Sequence, residues 1–270
     1  MKLLNGLELA GFIKERQAHE VRGLRQAWSV QPKLAIVVTI EHPAIDVYMR
    51  MKTRYGADIL VEVETHRVAQ ADAPATIQDL NADPSVHGII VQLPLNDPSQ
   101  TDEIVNLVAP EKDVDALGKD ATLDPATPLA ILWLLAGYNI DLAGKKIVLV
   151  GRGKLVGAPL ERMLHASSYD VEVVDRKTTD VPSVVRQADI LITATGQPGL
   201  IKSDMIKEKT VVVDAGVAGE QGKTVGDLAD DVYERDDLTI TPRKGGVGPL
   251  TICALFDNVI RAARASAQKQ

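Results

Sequence analysis

KKIVLVGRGKLVGAP, from Lys145 to Pro159, is an apolar run that ends in a glycine turn and opens directly into a helical pattern. Ile147 to Val150 read as a strand buried on both faces. Gly151 and Gly153 are expected to let the backbone approach a ligand closely, and Gly157 to let the next helix pack tightly on the strand. A helix start carries unpaired N–H groups and the positive end of its dipole, so a pyrophosphate finds donors already in place there. The spacing, G-x-G-x-x-x-G, is one residue longer than the common dinucleotide fingerprint. A glycine turn between strand and helix also has a purely structural reading.

Strands and helices alternate on both sides of this turn. After it come strand-like runs at Val171–Val174, Ile190–Thr193, Val211–Asp214 and Leu238–Ile240. Before it, Leu3 to Trp28 has apolar residues at helical spacing, Leu34 to Ile40 reads as a strand, and Ala44 to Tyr55 as a helix. Ile59 to Val63 reads as a strand, Ala75 to Asn81 as a helix introduced by Pro74, and Gly88 to Leu93 as an apolar strand closed by Pro94. Pro128 to Tyr138 is a helix joining the two series, and a helix after Pro249 ends the chain. This alternation predicts an α/β protein of two domains with parallel sheets around a cleft, ligands lying at the carboxyl ends of the strands. The expected division is residues 1–138 with 250–270 against residues 139–249.

Composition narrows the function. A chain of 270 residues with 45% hydrophobic and 25% charged residues has the makeup of a folded globular enzyme. Its net charge of −7 and its lack of a Lys/Arg cluster argue against nucleic acid or an anionic membrane as partner, leaving a small metabolite. Cys253, the only cysteine, excludes an internal disulfide and a cysteine metal site, and within TICALF it reads as core. The five histidines form no H-x-x-x-H pair, so no metal site is expected. The N-terminus becomes charged too soon for a signal peptide, and no apolar run approaches the ~18 residues of a membrane span, which predicts a cytoplasmic protein.

Four further clusters carry possible chemistry. Tyr48 and Lys52 stand four apart in a helical segment and face the same way, a spacing that suits an acid/base site; the alternative is a solvated helix face. Val91, Gln92 and Leu93 lie where the apolar strand GIIVQLPL ends, the place where parallel sheets present ligand-binding groups, although a glutamine there can also serve only its loop backbone. Asp115, in PEKDVDAL, can accept two N–H bonds from a 2-amino-4-oxo heterocycle, or be a solvated loop charge. Lys244 to Thr251, KGGVGPLT, reads either as a loop pressed on a ligand or as a plain turn and helix start, and Thr195, Gly196 and Gln197 follow the strand ILITA as a second strand-end loop.

Taken in order, Y-x-x-x-K, GIIVQLPL, APEKDVD, PATP, VGRGKLVGAP, ATGQP, VGD and GGVGPLT resemble the bifunctional methylenetetrahydrofolate dehydrogenase/cyclohydrolase family over nearly the whole chain. The resemblance implies a folate-binding catalytic domain, a Rossmann-type NAD(P)-binding domain, a C-terminal helix returning to the first domain, and a homodimer. It implies oxidation of 5,10-methylenetetrahydrofolate with NADP or NAD and hydrolysis of the methenyl product to 10-formyltetrahydrofolate, in the one-carbon metabolism that serves purine biosynthesis. By position, Lys52 matches the family's catalytic lysine, Gln92 the glutamine that tunes it, Tyr48 the tyrosine that packs on the folate, and Asp115 the aspartate that grips the pterin. Gly151, Arg152 and Gly153 match the cofactor phosphate turn, and Val217 a nicotinamide-side backbone contact. Gly245, Gly246, Val247, Gly248 and Pro249 match the folate-side loop.

The departures are specific. Ile45 replaces a usual serine, Ala116 the glycine after DVD, Ala130 a glycine after PATP, and Gly153 the serine of the phosphate turn. VVDRKT replaces C-H-S-[KR]-T, placing Asp175 and Arg176 near the adenosine ribose. Asp175 suits a ribose 2′-OH and hence NAD, whereas Arg152 and Arg176 suit a 2′-phosphate and hence NADP, the cofactor expected from the family. Arg243 and Lys244 add positive charge beside the folate-side loop.

Overall fold

The computed structural model describes residues 1–220 and 223–268. Its elements are β1 (Lys2–Leu3), α1 (Gly6–Trp28), β2 (Lys33–Val38), α2 (Pro43–Asp58), β3 (Glu62–Arg67), α3 (Ala73–Ala82), β4 (Gly88–Val91), α4 (Thr101–Val105) and α5 (Ala126–Gly137). There follow β5 (Ile147–Val150), α6 (Gly157–Ala166), β6 (Val171–Val174), α7 (Val181–Val185), β7 (Ile190–Thr193), β8 (Val211–Asp214), β9 (Ala218–Glu220), β10 (Lys223–Val225), β11 (Thr239–Ile240) and α8 (Val247–Ala267). Two compact units result, one of residues 1–10 with 127–251, the other of residues 11–126 with 252–270.

The first unit is built on a six-stranded parallel sheet in the order β1-β11-β8-β7-β5-β6, with β9 and β10 forming a separate antiparallel hairpin. β5 and β7 are buried at every residue, as central parallel strands covered on both faces must be. Val148, Val150, Leu191, Val212 and Ile240 pack into one core with Val185, Ile201 and Val232 from the connections. Burying each such side chain contributes roughly 1.5–3 kcal/mol against the conformational entropy of the chain.

The second unit has a three-stranded parallel sheet in the order β3-β2-β4. Its central strand, KLAIVV, is buried from Leu34 to Val38, and Ala35, Val37, Ile89 and Val91 share a core with Ile77 and Leu80 of α3. Cys253 lies in the core as expected. Among the described residues no helix is long and apolar enough to cross a membrane.

Two expected elements are corrected and one is added. The two compact units divide the chain at 126/127 and 251/252, beside expected domain limits of 138/139 and 249/250, and residues 1–10 belong to the unit of the six-stranded sheet. The cause is a strand where a helix start was read: Lys2 and Leu3 pair in parallel with Thr239 and Ile240. The strand expected at Ile59–Val63 is instead Glu62–Arg67, because Ile59 to Val61 form the connection after α2, with Ile59 and Val61 buried and Leu60 turned outward at φ 65°. β3 is polar since it is a sheet edge with partly exposed residues, so its pattern carries little apolar signal. The β9–β10 hairpin was not expected at all.

Candidate active site

α2 carries Tyr48 and Lys52, and its seat in the fold determines where Lys52 points. Gly56 allows the helix to lie so close to β3 that a Cβ there would stand 2.5 Å from Val63 Cγ2. Tyr55 donates from its hydroxyl to Gln17 Oε1 at 2.7 Å, and its ring stacks at 5.0 Å on Phe256 of α8. One turn before Tyr55, Lys52 is half-buried and donates from Nζ to Gln92 Oε1 at 2.8 Å. Tyr48, a further turn back, is 45% exposed, as a residue offering its ring to an incoming ligand would be. Ile45 is buried apolar surface where a hydroxyl was the familiar choice.

Gln92 follows β4 at its carboxyl end. Its backbone N–H continues the ladder to the Val37 carbonyl at 2.9 Å, and its side-chain N–H donates to the Leu93 carbonyl at 2.8 Å. The amide nitrogen being engaged by its own loop, the amide oxygen is the end that faces Lys52. Val91 is core and Leu93 half-buried, so of these three Gln92 is the polar contact.

Asp115 completes the cluster electrostatically. Burial lowers the Lys52 ammonium below its ordinary value, against a smaller opposing pull from Asp115. Burial likewise raises the Asp115 carboxyl, against the pull of Lys52. Desolvation thus favours the neutral form of each, while their attraction favours the ion pair. The loop bearing Asp115 is fixed by residues that sequence reading passed over. Lys112 Nζ donates to the carbonyls of Leu80, Asn81 and Asp83, at 3.1, 2.9 and 2.7 Å, closing the end of α3. Asp113, 3% exposed, accepts from the Gly118 N–H at 2.8 Å and the Leu117 N–H at 3.4 Å. Asn258 of α8 donates to the carbonyls of Val114 and Asp124 at 2.9 and 2.8 Å. A fully buried asparagine in the apolar run LFDNVI was the available signal. Ala116 takes φ 54°, the left-handed region, which explains why glycine is usual there.

In the other unit the phosphate-type turn has the expected form with one difference. Gly151, at φ 105°, runs beside the end of β7, where a Cβ would stand 2.6 Å from the Ala194 carbonyl oxygen. A Cβ on Gly157 would overlap the Gly151 carbonyl, so α6 can begin only with a glycine against the turn. Gly153, by contrast, faces open space and has room for a side chain; what it leaves is clearance above the turn. Arg152 is tied to Glu161 of α6 by paired bonds of 2.7 and 3.0 Å. Asp175, at the end of β6, accepts the Lys177 N–H at 2.8 Å and so spends one carboxylate oxygen on its own turn, while Arg176 is exposed.

Thr195 and Gly196 lie directly after β7, and Val217, 61% exposed, follows β8, with its carbonyl oxygen 3.2 Å from where a Cβ on Gly196 would be. These residues, Gly151 and Asp175 therefore share the carboxyl-end edge of one sheet. Gly245 to Pro249 belong to this same unit and open α8. The Gly245 carbonyl accepts the Leu7 N–H at 2.9 Å, and Gly6 has no room for a side chain against Gly246. The positive charge of Arg243 is paired with Asp230, and its guanidinium lies 4.2 Å from the Tyr233 ring centre.

Two family models match the chain: tetrahydrofolate dehydrogenase/cyclohydrolase, catalytic domain, over residues 4–115, and tetrahydrofolate dehydrogenase/cyclohydrolase, NAD(P)-binding domain, over residues 125–267. The Bifunctional protein FolD of Moorella thermoacetica is 40% identical, over 97% of this chain and 99% of that protein. The crystal structure of the bifunctional FolD methylenetetrahydrofolate dehydrogenase/cyclohydrolase from Campylobacter jejuni superposes with TM-score 0.91 at 35% identity, covering 98% of this chain and 99% of that one. The Trypanosoma brucei methylenetetrahydrofolate dehydrogenase-cyclohydrolase, solved with NADP cofactor and inhibitor, gives TM-score 0.90 at 28% identity, over 98% and 97% of the chains.

Proposed function

Since the chain belongs to the tetrahydrofolate dehydrogenase/cyclohydrolase family, we propose that it oxidises 5,10-methylenetetrahydrofolate with NADP, hydrolyses the methenyl product to 10-formyltetrahydrofolate, and works as a cytoplasmic homodimer. The observation that carries the site assignment is the Lys52–Gln92 hydrogen bond beside Asp115. A lysine lowered by burial and held by a neutral amide is suited to take a proton from the water that adds to the methenyl carbon. Tyr48 offers an exposed ring for the folate to stack on, and Asp115 a carboxylate for the pterin N–H groups.

The nucleotide-type unit fits NADP. When bound, NADP supplies the hydride acceptor for the first step. The turn at Arg152 and Gly153 with the start of α6 offers backbone N–H groups beside the open space over Gly153, which suits a pyrophosphate. Asp175 spends an oxygen on its own turn and Arg176 is exposed beside it, a balance that favours a 2′-phosphate over a bare ribose. Thr195, Gly196 and Val217 line the same sheet edge toward the nicotinamide.

Mixing the purified protein with 5,10-methylenetetrahydrofolate and either NADP or NAD, and following reduced cofactor and methenyl intermediate separately, tests this reading. Reduced cofactor is expected without methenyl accumulation, with the higher kcat/KM for NADP. No reduction with either cofactor would refute it. The role of Gln92 has its own test in Gln92→Glu. A carboxylate at 2.8 Å from Nζ favours the ammonium, so the acidic limb of the cyclohydrolase kcat/KM profile should move to higher pH by ~1–3 units. A profile that stays in place would remove Lys52 as the proton acceptor.

A further inference from the structure

We propose that Asp227 is a positioning residue of the dehydrogenase half-site, its carboxylate holding the Thr195–Gln197 loop in the conformation that receives the cofactor. The proposal rests on the function argued above and adds a residue to it. Asp227 is fully buried, and its two carboxylate oxygens accept two backbone N–H bonds from one loop, Thr195 at 2.7 Å on Oδ2 and Gln197 at 2.9 Å on Oδ1. Between these donors lies Gly196, at φ 67°, so the turn is clamped on both sides of its one left-handed residue.

Asp227 is itself held by a second carboxylate. Asp214, at the end of β8, accepts from the Thr193 hydroxyl at 3.0 Å and from the N–H groups of Gly216, Asp227 and Leu228 at 2.9, 3.1 and 3.2 Å. Its own N–H donates to Thr241 Oγ1 at 3.0 Å. The backbone on either side of Asp227 is fixed as well, its carbonyl accepting the Ile201 N–H at 3.1 Å while the Ala229 N–H reaches the Ile201 carbonyl at 2.8 Å. Both carboxylates occupy space that glycines leave: a Cβ on Gly216 would overlap the Asp227 carboxylate, and one on Gly226 the Asp214 carboxylate.

The two groups therefore add side-chain ties among three segments, those after β7, after β8 and after β10, to the backbone pairing that β7 shares with β8 and Ile201 with Leu228. The tied residues include Thr195 and Gly196 and the segment leading to Val217, all on the edge where Gly151 lies. Two carboxylates buried side by side and satisfied by oriented N–H donors are costly to assemble, and burial raises the Asp214 carboxyl against the opposing pull of the N–H donors of Asp227, Gly216 and Leu228. A hydrophobic plug would close the same space at less cost, but it would leave the loop N–H groups of Thr195 and Gln197 without acceptors.

The test is Asp227→Asn, which keeps the shape but presents an NH2 group to one of the two loop donors. The KM for NADP is expected to rise about tenfold or more, the size of one charge-assisted hydrogen bond, with kcat changed by less than about threefold. Cyclohydrolase activity on supplied methenyltetrahydrofolate should stay within about twofold, because Tyr48, Lys52, Gln92 and Asp115 lie in the other unit. An unchanged KM for NADP overturns the proposal. Hydrogen exchange on the unsubstituted protein decides the matter even if the variant fails to fold: the Thr195 and Gln197 amides should exchange at least about a hundredfold more slowly than an open loop. Open-loop exchange there overturns the proposal, whereas unsubstituted protein that reduces neither cofactor counts against the function itself.

Discussion

Lys52→Met is expected to lower cyclohydrolase kcat by about a thousandfold while binding of the folate remains measurable. Met matches the lysine stem in length and apolar character, so the loss is confined to the amine. That amine is bonded to Gln92 and attracted by Asp115, and general acid–base groups of this kind are worth roughly 10²–10⁴ in rate. Tyr48 and Asp115 remain in place, and these are the groups proposed to hold the substrate, so binding is expected to persist. The measurement is a steady-state assay on methenyltetrahydrofolate beside a folate titration followed by tyrosine or ligand fluorescence. Full hydrolysis by this variant would overturn the assignment of Lys52, and loss of binding together with activity would place the lysine in substrate binding instead.

Gly157→Ala is expected to abolish the dehydrogenase step and to destabilise the nucleotide-type unit by about 3 kcal/mol, the upper part of the usual range for overpacking. The added methyl would overlap the Gly151 carbonyl oxygen, and the carbonyl carbon would be only 2.8 Å away. Neither partner is a flexible side-chain end; both are backbone, so relief requires α6 to move off β5. That motion would open the turn from Gly151 to Gly153 on which the cofactor is proposed to sit. Urea unfolding and dehydrogenase kcat/KM are the readouts. Gly153→Ser serves as the control, since the space there is open and a side chain should cost under about 0.5 kcal/mol. A stable, active Gly157→Ala protein would show that α6 can shift without harm to the turn.

The amino-acid sequence by itself determined the parts of this protein whose signal is local. β5, β6, β7 and β8 stand at the residues read from their apolar runs, because central parallel strands such as β5 and β7 are apolar along their whole length and the edge strand β6 keeps three valines in VEVV. The glycine turn was legible because a positive φ and a helix start without room for a side chain leave few residue choices. Lys52 and Gln92 were each visible as candidates, one from helical spacing and the other from a polar residue at a strand end, but nothing local joined them.

Tertiary structure alone decided what depends on partners distant in sequence. Lys52 reaches Gln92 across 40 residues because α2 is seated on β3, and only that seat turns a solvated lysine into one lowered by burial. Lys2 and Leu3 become a strand because β11, far along the chain, offers a free edge, and residues 1–10 belong to that sheet's unit with them. Asp227 and Asp113 gain their roles only in the fold, since a carboxylate's value as an anchor lies in which backbone N–H groups surround it once it is buried. Hydrophobic periodicity is a property of neighbours in the chain, whereas desolvation and hydrogen-bond satisfaction are properties of neighbours in space.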